Sequence, residues 1–169
     1  MLPNLLVIIS LLAACQSAPQ SLTLNAYLGG RSSDAFGRDV LNVNATVLNE
    51  SSDTARFWTM ACNYDDSFIV GQNDSLEIAT RTLCFSNAPR LITLPPYYQS
   101  QFHIQVGLKD TLKDRIRGNF KVGMILTLSE EELHHYLNSE KSIDPEKVIW
   151  SNELDPNWMY PGYIHPIPQ

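Results

Sequence analysis

The stretch from Leu41 to Cys62, LNVNATVLNESSDTARFWTMAC, decides how this chain is read. Its first half alternates strictly. Leu41, Val43, Ala45 and Val47 fall on one side of an extended backbone, and Asn42, Asn44 and Thr46 on the other. A period of two marks a strand with one buried face. Asn49-Glu50-Ser51-Ser52-Asp53-Thr54 then concentrates turn formers, whose short polar side chains bond their own backbone. Arg56–Cys62 reads as the returning strand.

The same period recurs on both sides of this unit. Leu22–Leu28 alternates, and Gly29–Asp34 after it reads as a loop. Gln101–Leu108 places Phe102, Ile104, Val106 and Leu108 on one face, and Phe120–Leu128 does so with Phe120, Val122, Met124 and Leu126. Shorter candidates are Phe68–Val70, Ser75–Thr80, Leu83–Phe85 and Leu91–Leu94, the last stopped by Pro95-Pro96. Asp110–Asn119 reads as a polar connection. About seven short strands with turn signals between them predict a mostly β chain, an antiparallel β-sandwich over residues 22–128. The strand–turn–strand at 41–62 is similar to the early hairpin of bacterial Ig-like accessory domains. The resemblance implies an Ig-like architecture and no particular activity. Trp58 precedes Cys62, so the Cys…Trp…Cys spacing of antibody domains is absent.

Residues 129–169 carry a different signal. Ser129 with Glu132 is a capping box that predicts a short helix from Glu130 to Leu137. Asp144-Pro145-Glu146 is a second helical start, with Asp as cap and Pro at the first position. An irregular aromatic and Pro-rich tail follows, expected to pack on the sandwich.

The leader is apolar and uncharged from Leu5 to Ala14 and ends in Leu12-Ala13-Ala14-Cys15. That run is shorter than the roughly 20 residues a membrane-spanning helix needs, and polar residues follow it at once. This is the shape of a secretory signal, and Pro19 disfavours cleavage after Ala18. Leu12–Cys15 resembles the lipobox of bacterial lipoprotein precursors. The resemblance implies that residues 1–14 are a signal peptide and that Cys15 becomes an acylated (palmitate-bearing) N-terminus. Residues 15–21 then form a lipidated tether, and the membrane is a partner through Cys15. Gln16 in place of Asp points to the outer membrane of the cell envelope. The alternative is a plain secreted protein.

The net charge of −6 excludes a phosphate-backbone partner, so no nucleic acid is expected. With Cys15 set aside, Cys62 and Cys84 are expected to form a disulfide, which an extracytoplasmic compartment permits. Closing that loop contributes roughly 3 kcal/mol in the chain-entropy model. Two buried thiols are the alternative. Three sequons, at Asn44, Asn49 and Asn73, are ordinary turn and strand residues in a bacterial chain.

The sequence shows no assembled chemistry. There is no H-E-x-x-H, no G-x-S-x-G and no phosphate-binding loop, so no catalytic residue, metal or cofactor is expected. His103 falls on the polar face of its strand, and the adjacent His134 and His135 point about 100° apart on a helix. Asp65-Asp66 and Asn73–Glu77 offer oxygen ligands without EF-hand spacing. The candidate binding residues are aromatic: Trp58, Tyr97, Tyr98, Trp150, Trp158, Tyr160 and Tyr163. The expected function is a lipid-anchored, non-catalytic sandwich acting through protein or surface contacts. A glycan- or small-molecule-binding lipoprotein is the second reading. An enzyme or enzyme inhibitor with a loop-assembled site is the third.

Overall fold

A computed structural model describes residues 21–34, 37–79, 87–109, 116–138 and 143–159. Nine strands and one α-helix occur there. They are β1 (Leu22–Ser33), β2 (Asp39–Asn49), β3 (Ala55–Met60), β4 (Phe68–Gly71), β5 (Leu76–Ala79), β6 (Pro89–Leu94), β7 (Gln99–Leu108), β8 (Lys121–Ile125), α1 (Glu130–Asn138) and β9 (Val148–Trp150). A four-stranded sheet runs β1-β2-β7-β5, and two smaller sheets pair β3-β6 and β4-β8-β9. Every ladder is antiparallel. A bridge between Trp58 and Thr127 joins the smaller sheets into a second layer. One core fills the space between the layers: Leu24, Val43, Phe102 and Ile104 from the large sheet meet Phe57, Phe68, Val122 and Met124 from the other. The chain is thus mostly β and sandwich-like.

The alternating residues land as their period demands. Leu41, Val43, Ala45 and Val47 are all buried, and Asn42, Asn44 and Thr46 lie on the opposite face. The strand after them does not return beside them. β3 pairs with β6 in the other layer, so residues 49–54 form an arch between sheets and not a hairpin turn. The cause is Asn49. Its parity points its side chain inward, where it is fully buried. Its amide nitrogen donates to the carbonyls of Asp53 (2.7 Å), Leu94 (3.0 Å) and Pro95 (3.1 Å). Its side-chain oxygen accepts from the Ser51 backbone N–H (3.1 Å) and hydroxyl (2.7 Å). The carboxamide thereby bonds the end of β6 to the arch and carries the chain from one layer to the other.

Two further differences from the sequence reading have physical causes. Gly29–Ser33 is strand and not loop. A register shift between Leu28 and Gly30, with Gly30 at φ 134°, lets β1 continue to pair with β2 as far as Ser33 and Asp39. Nine strands replace about seven: β1 to β8 each fall on a stretch with strand patterning, and β9 adds to the edge of β8. β6 also leaves the large sheet between β5 and β7. In the antibody constant-domain order the corresponding pair is consecutive. The Leu83–Phe85 candidate lies outside the described residues.

The second layer has its own cover. Ser129 caps α1, with Glu132 N–H donating to Ser129 Oγ (3.1 Å), and the Glu132 side chain reaches one residue past the cap, where Oε2 accepts from Leu128 N–H (2.6 Å). Leu133 and Tyr136 are the buried residues of α1. Asp144 caps a 3-10 turn at Pro145–Lys147 by accepting from Glu146 N–H at 3.0 Å. Beyond β9, Leu154 enters the core and pairs with Phe120. Asn152 Oδ1 accepts from Ala26 N–H (2.9 Å), and its amide donates to Ala26 carbonyl (3.0 Å). β1 is an outer strand of its sheet, so this carboxamide supplies at one residue the bonds a neighbouring strand would have made.

Removing the Asn49 carboxamide strands buried carbonyls. Asn49→Ala is expected to cost about 3 kcal/mol, read as a lower denaturant midpoint at unchanged slope. Asn49→Asp is expected to cost at least as much, because a carboxylate would face three carbonyl oxygens. A loss below about 1 kcal/mol in both would show that the arch is held by something else.

Candidate functional site

The outer face of β1, β2 and β7 is the most distinctive surface of the described residues. The strand period that sends Leu24, Val43 and Ile104 inward sends Tyr27, Asn44 and His103 outward, one beside the other in register. The next row is Asn25, Thr46 and Gln101. No Lys, Arg, Asp or Glu occupies an outward position from Thr23 to Tyr27, Asn42 to Leu48 or Gln99 to Gln105. The side chains hold one another. Asn44 Oδ1 and His103 Nδ1 form a hydrogen bond across β2 and β7. Asn42 donates to Ser32 Oγ (3.0 Å) and accepts from Gln105 (3.1 Å), and Gln105 also reaches Ser32 Oγ (3.3 Å). Tyr27 stands 55% exposed amid these amides. Gly29 belongs to the same face: a Cβ there would lie 2.6 Å from Asn44 Nδ2. The arrangement presents a flat field of neutral donors and acceptors around one aromatic ring.

A cleft of about 150 Å³ lies between α1 and the Pro145–Lys147 turn, lined by Ile125, Thr127, Glu132, His135, Tyr136, Ile143, Asp144 and Lys147. Its charges are engaged in holding structure. Lys147 pairs with Glu132, which also accepts from Leu128 N–H, and Asp144 caps its own turn. Burial pushes the Tyr136 phenol above its ordinary value, and the negative charge of Asp66 adds to the shift. His134 reaches Glu130 at 3.8 Å on the exposed side of the helix. Among the described residues no group of three His, Cys, Asp or Glu could hold a metal ion.

The aromatic residues singled out from the sequence do not share one surface. Trp58 is half-buried in the middle of β3, where its backbone N–H donates to Thr127 carbonyl (2.8 Å). Trp150 is 43% exposed but is held over two glycines of the β4-β8-β9 sheet. A Cβ on Gly71 would lie 2.5 Å from its Cζ3, and one on Gly123 2.8 Å. Trp158 falls in a 3-10 turn at Pro156–Met159. Tyr160 and Tyr163 lie outside the described residues.

Tyr97 and Tyr98 form the turn between β6 and β7, closed by Tyr98 N–H donating to Pro95 carbonyl at 3.2 Å. They are 70% and 65% exposed. Tyr97 sits at φ 62°, in the left-handed region that costs a non-glycine residue about 1 kcal/mol.

Cys15 and Cys84 lie outside the described residues. The sequons are occupied by structure. Asn49 is buried in the arch, Asn44 bonds His103, and Asn73 donates to Arg117 carbonyl at 2.8 Å while accepting from Ser75 Oγ at 2.6 Å.

Sequence reading placed His103, Asn42, Asn44 and Thr46 on polar faces but did not join them. The missing signal was register, which brings β1, β2 and β7 side by side although β7 is distant in the chain. No protein-family model matches this sequence, and no curated protein matches it.

The Tyr136 shift has a measurable consequence. Its folded value lies above the unfolded one of 10.0, so its contribution to stability is complete below pH 10 and is lost as pH rises through the folded value. Ultraviolet titration should show a phenol ionising above pH 10 that is absent in Tyr136→Phe. A parent curve matching that of Tyr136→Phe after scaling would contradict the assignment.

Proposed function

We propose that this is a lipid-anchored protein of the cell envelope, held by acyl chains on Cys15 after loss of residues 1–14, whose sandwich works by contact and not by catalysis. The observation that carries this reading is the uncharged outer face of β1, β2 and β7. The chain has 30 charged residues, 12 basic and 18 acidic, and none takes an outward position from Thr23 to Tyr27, Asn42 to Leu48 or Gln99 to Gln105; Arg31, Asp39 and Glu77 of the same sheet lie beyond this field. Covering neutral polar groups costs far less desolvation than covering ions, provided the partner returns the hydrogen bonds. The amides, His103 and Tyr27 can both donate and accept. Such a face suits another polar, uncharged surface. The leader supports an envelope location, and Gln16 the outer membrane of a bacterium.

A glycan is the second reading, and Tyr27 favours it. A sugar offers hydroxyls to the amides and an apolar ring face to an aromatic side chain. Trp58 and Trp150 are engaged in their own sheets and play no part in this version.

The Cys62–Cys84 disulfide belongs to the same proposal. Asn87 Oδ1 accepts from the N–H groups of Cys62 and Asn63 at 3.2 Å, and Ala61 N–H donates to Ala88 carbonyl at 2.9 Å. Chain only a few residues beyond Cys84 is thus fastened beside Cys62, and the envelope is oxidising.

The test is made on protein recovered from membranes of the native host. Intact mass should give a chain beginning at Cys15 with added acyl mass, and a gain of about 2 Da on reduction. A photo-crosslinking residue at position 27 should give a protein or glycan adduct that Thr46→Asp abolishes. An unacylated chain cut elsewhere overturns the location. An acylated chain with no adduct, or one insensitive to Thr46→Asp, overturns the contact face.

A further inference from the structure

We infer that the Pro95–Tyr98 turn is a membrane-contact point, and that Tyr97 and Tyr98 enter a zwitterionic headgroup layer beside the acylated N-terminus. This rests on the lipoprotein reading of Cys15. The structure contributes three observations of its own.

The first is placement. Leu22 makes the first pair of β1 with Asn49, and Ser21 carbonyl accepts from Glu50 N–H at 2.8 Å. Asn49 N–H in turn donates to Tyr98 carbonyl at 3.0 Å. The entry of the chain into the sandwich and the tyrosine turn therefore flank the same residue. Neighbouring strands stand about 4.8 Å apart, so the two lie roughly 10 Å from each other. The chain from Cys15 to Ser21 reaches at most about 20 Å. An anchor on Cys15 thus keeps this end of the molecule close to the bilayer, where even weak interfacial contacts act intramolecularly.

The second is the turn itself. Tyr97 keeps a bulky ring at φ 62°, where glycine or asparagine would relieve strain, and that ring is 70% exposed. Its exposure shows no packing against the sandwich that would account for it. Tyr98 beside it is 65% exposed. Two adjacent phenols on a proline-preset turn have an apolar body and a polar tip, the form that sits at a bilayer–water boundary.

The third is charge. The segments at this end, 21–22, 48–54 and 94–99, contain no Lys or Arg, while Glu50 and Asp53 are acidic and exposed. Anionic lipid would be repelled. The partner chemistry is a neutral, zwitterionic headgroup layer.

The experiment uses the full acylated protein reconstituted into phosphatidylcholine vesicles carrying bromines near the top of the acyl chains. Tyr97→Trp and Tyr98→Trp each add one tryptophan. The fluorescence added over the parent should be quenched by half or more, and replacing a third of the lipid with an anionic one should reduce that quenching. Tyr97→Gly, which relieves the left-handed residue, should remain folded and widen the range of orientations, read as faster proteolysis of the membrane-bound protein at the arch. The mass of the same sample separates the two ways of failing. A chain without acyl mass overturns the lipoprotein reading. An acylated chain whose added tryptophan stays unquenched by bromolipid, or is shielded by added oligosaccharide instead, overturns the membrane contact alone.

Discussion

A single buried carboxamide sets the path of this chain. Asn49 ends β2 on the inward parity of Leu41, Val43, Ala45 and Val47, so its side chain arrives in the core where another hydrophobic residue would be expected. Two N–H groups shared among three carbonyls, and one oxygen accepting twice from Ser51, leave it satisfied. Left unmatched there, it would cost several kcal/mol. Arrangements in which β3 folds back beside β2 remove those partners. The amide therefore selects the arch, and the arch in turn decides that β3 pairs with β6 and that the core lies between two layers. The backbone of the same residue fastens the β6–β7 turn, so one residue joins the chain's entry, the arch and the tyrosine turn.

A second carboxamide does comparable work at the margin. Asn152 completes the hydrogen bonds of Ala26 on the outer strand β1, and the segment that carries it brings Leu154 into the core. On the other layer, Trp150 lies across Gly71 and Gly123, where any side chain would displace it. One edge and one outer face are thus covered by the chain's own last described elements. On the outer face of β1, β2 and β7 the polar side chains are ordered by one another.

Strand positions were legible because one buried face imposes a period of two, and Asn44, Thr46 and Phe102 obey it. The capping box and the Asp144-Pro145 start were legible because both act within one turn of chain. Pairing was not. Nothing local in Arg56–Met60 says whether it returns to β2 or crosses to β6, since that depends on carbonyls of Leu94 and Pro95 distant in sequence. The continuation of β1 through Gly29-Gly30 was hidden because glycine pairs read as a loop, whereas here Gly30 absorbs a bulge. The neutral polar face escaped for the same reason as the arch: its members come from three strands brought together by register. Tyr97 and Tyr98 were visible as candidate binding aromatics, but their nearness to Ser21 and Leu22 at the start of β1 needed the Asn49 bond to Tyr98.

The most direct test of the central constraint is hydrogen exchange at the two side-chain amide protons of Asn49, followed by NMR on the folded protein. Slow exchange is expected, with protection close to that of core backbone amides such as Val43. Exchange as fast as that of an exposed carboxamide such as Asn25 would contradict it, and with it the explanation of why the chain crosses between layers at residues 49–54.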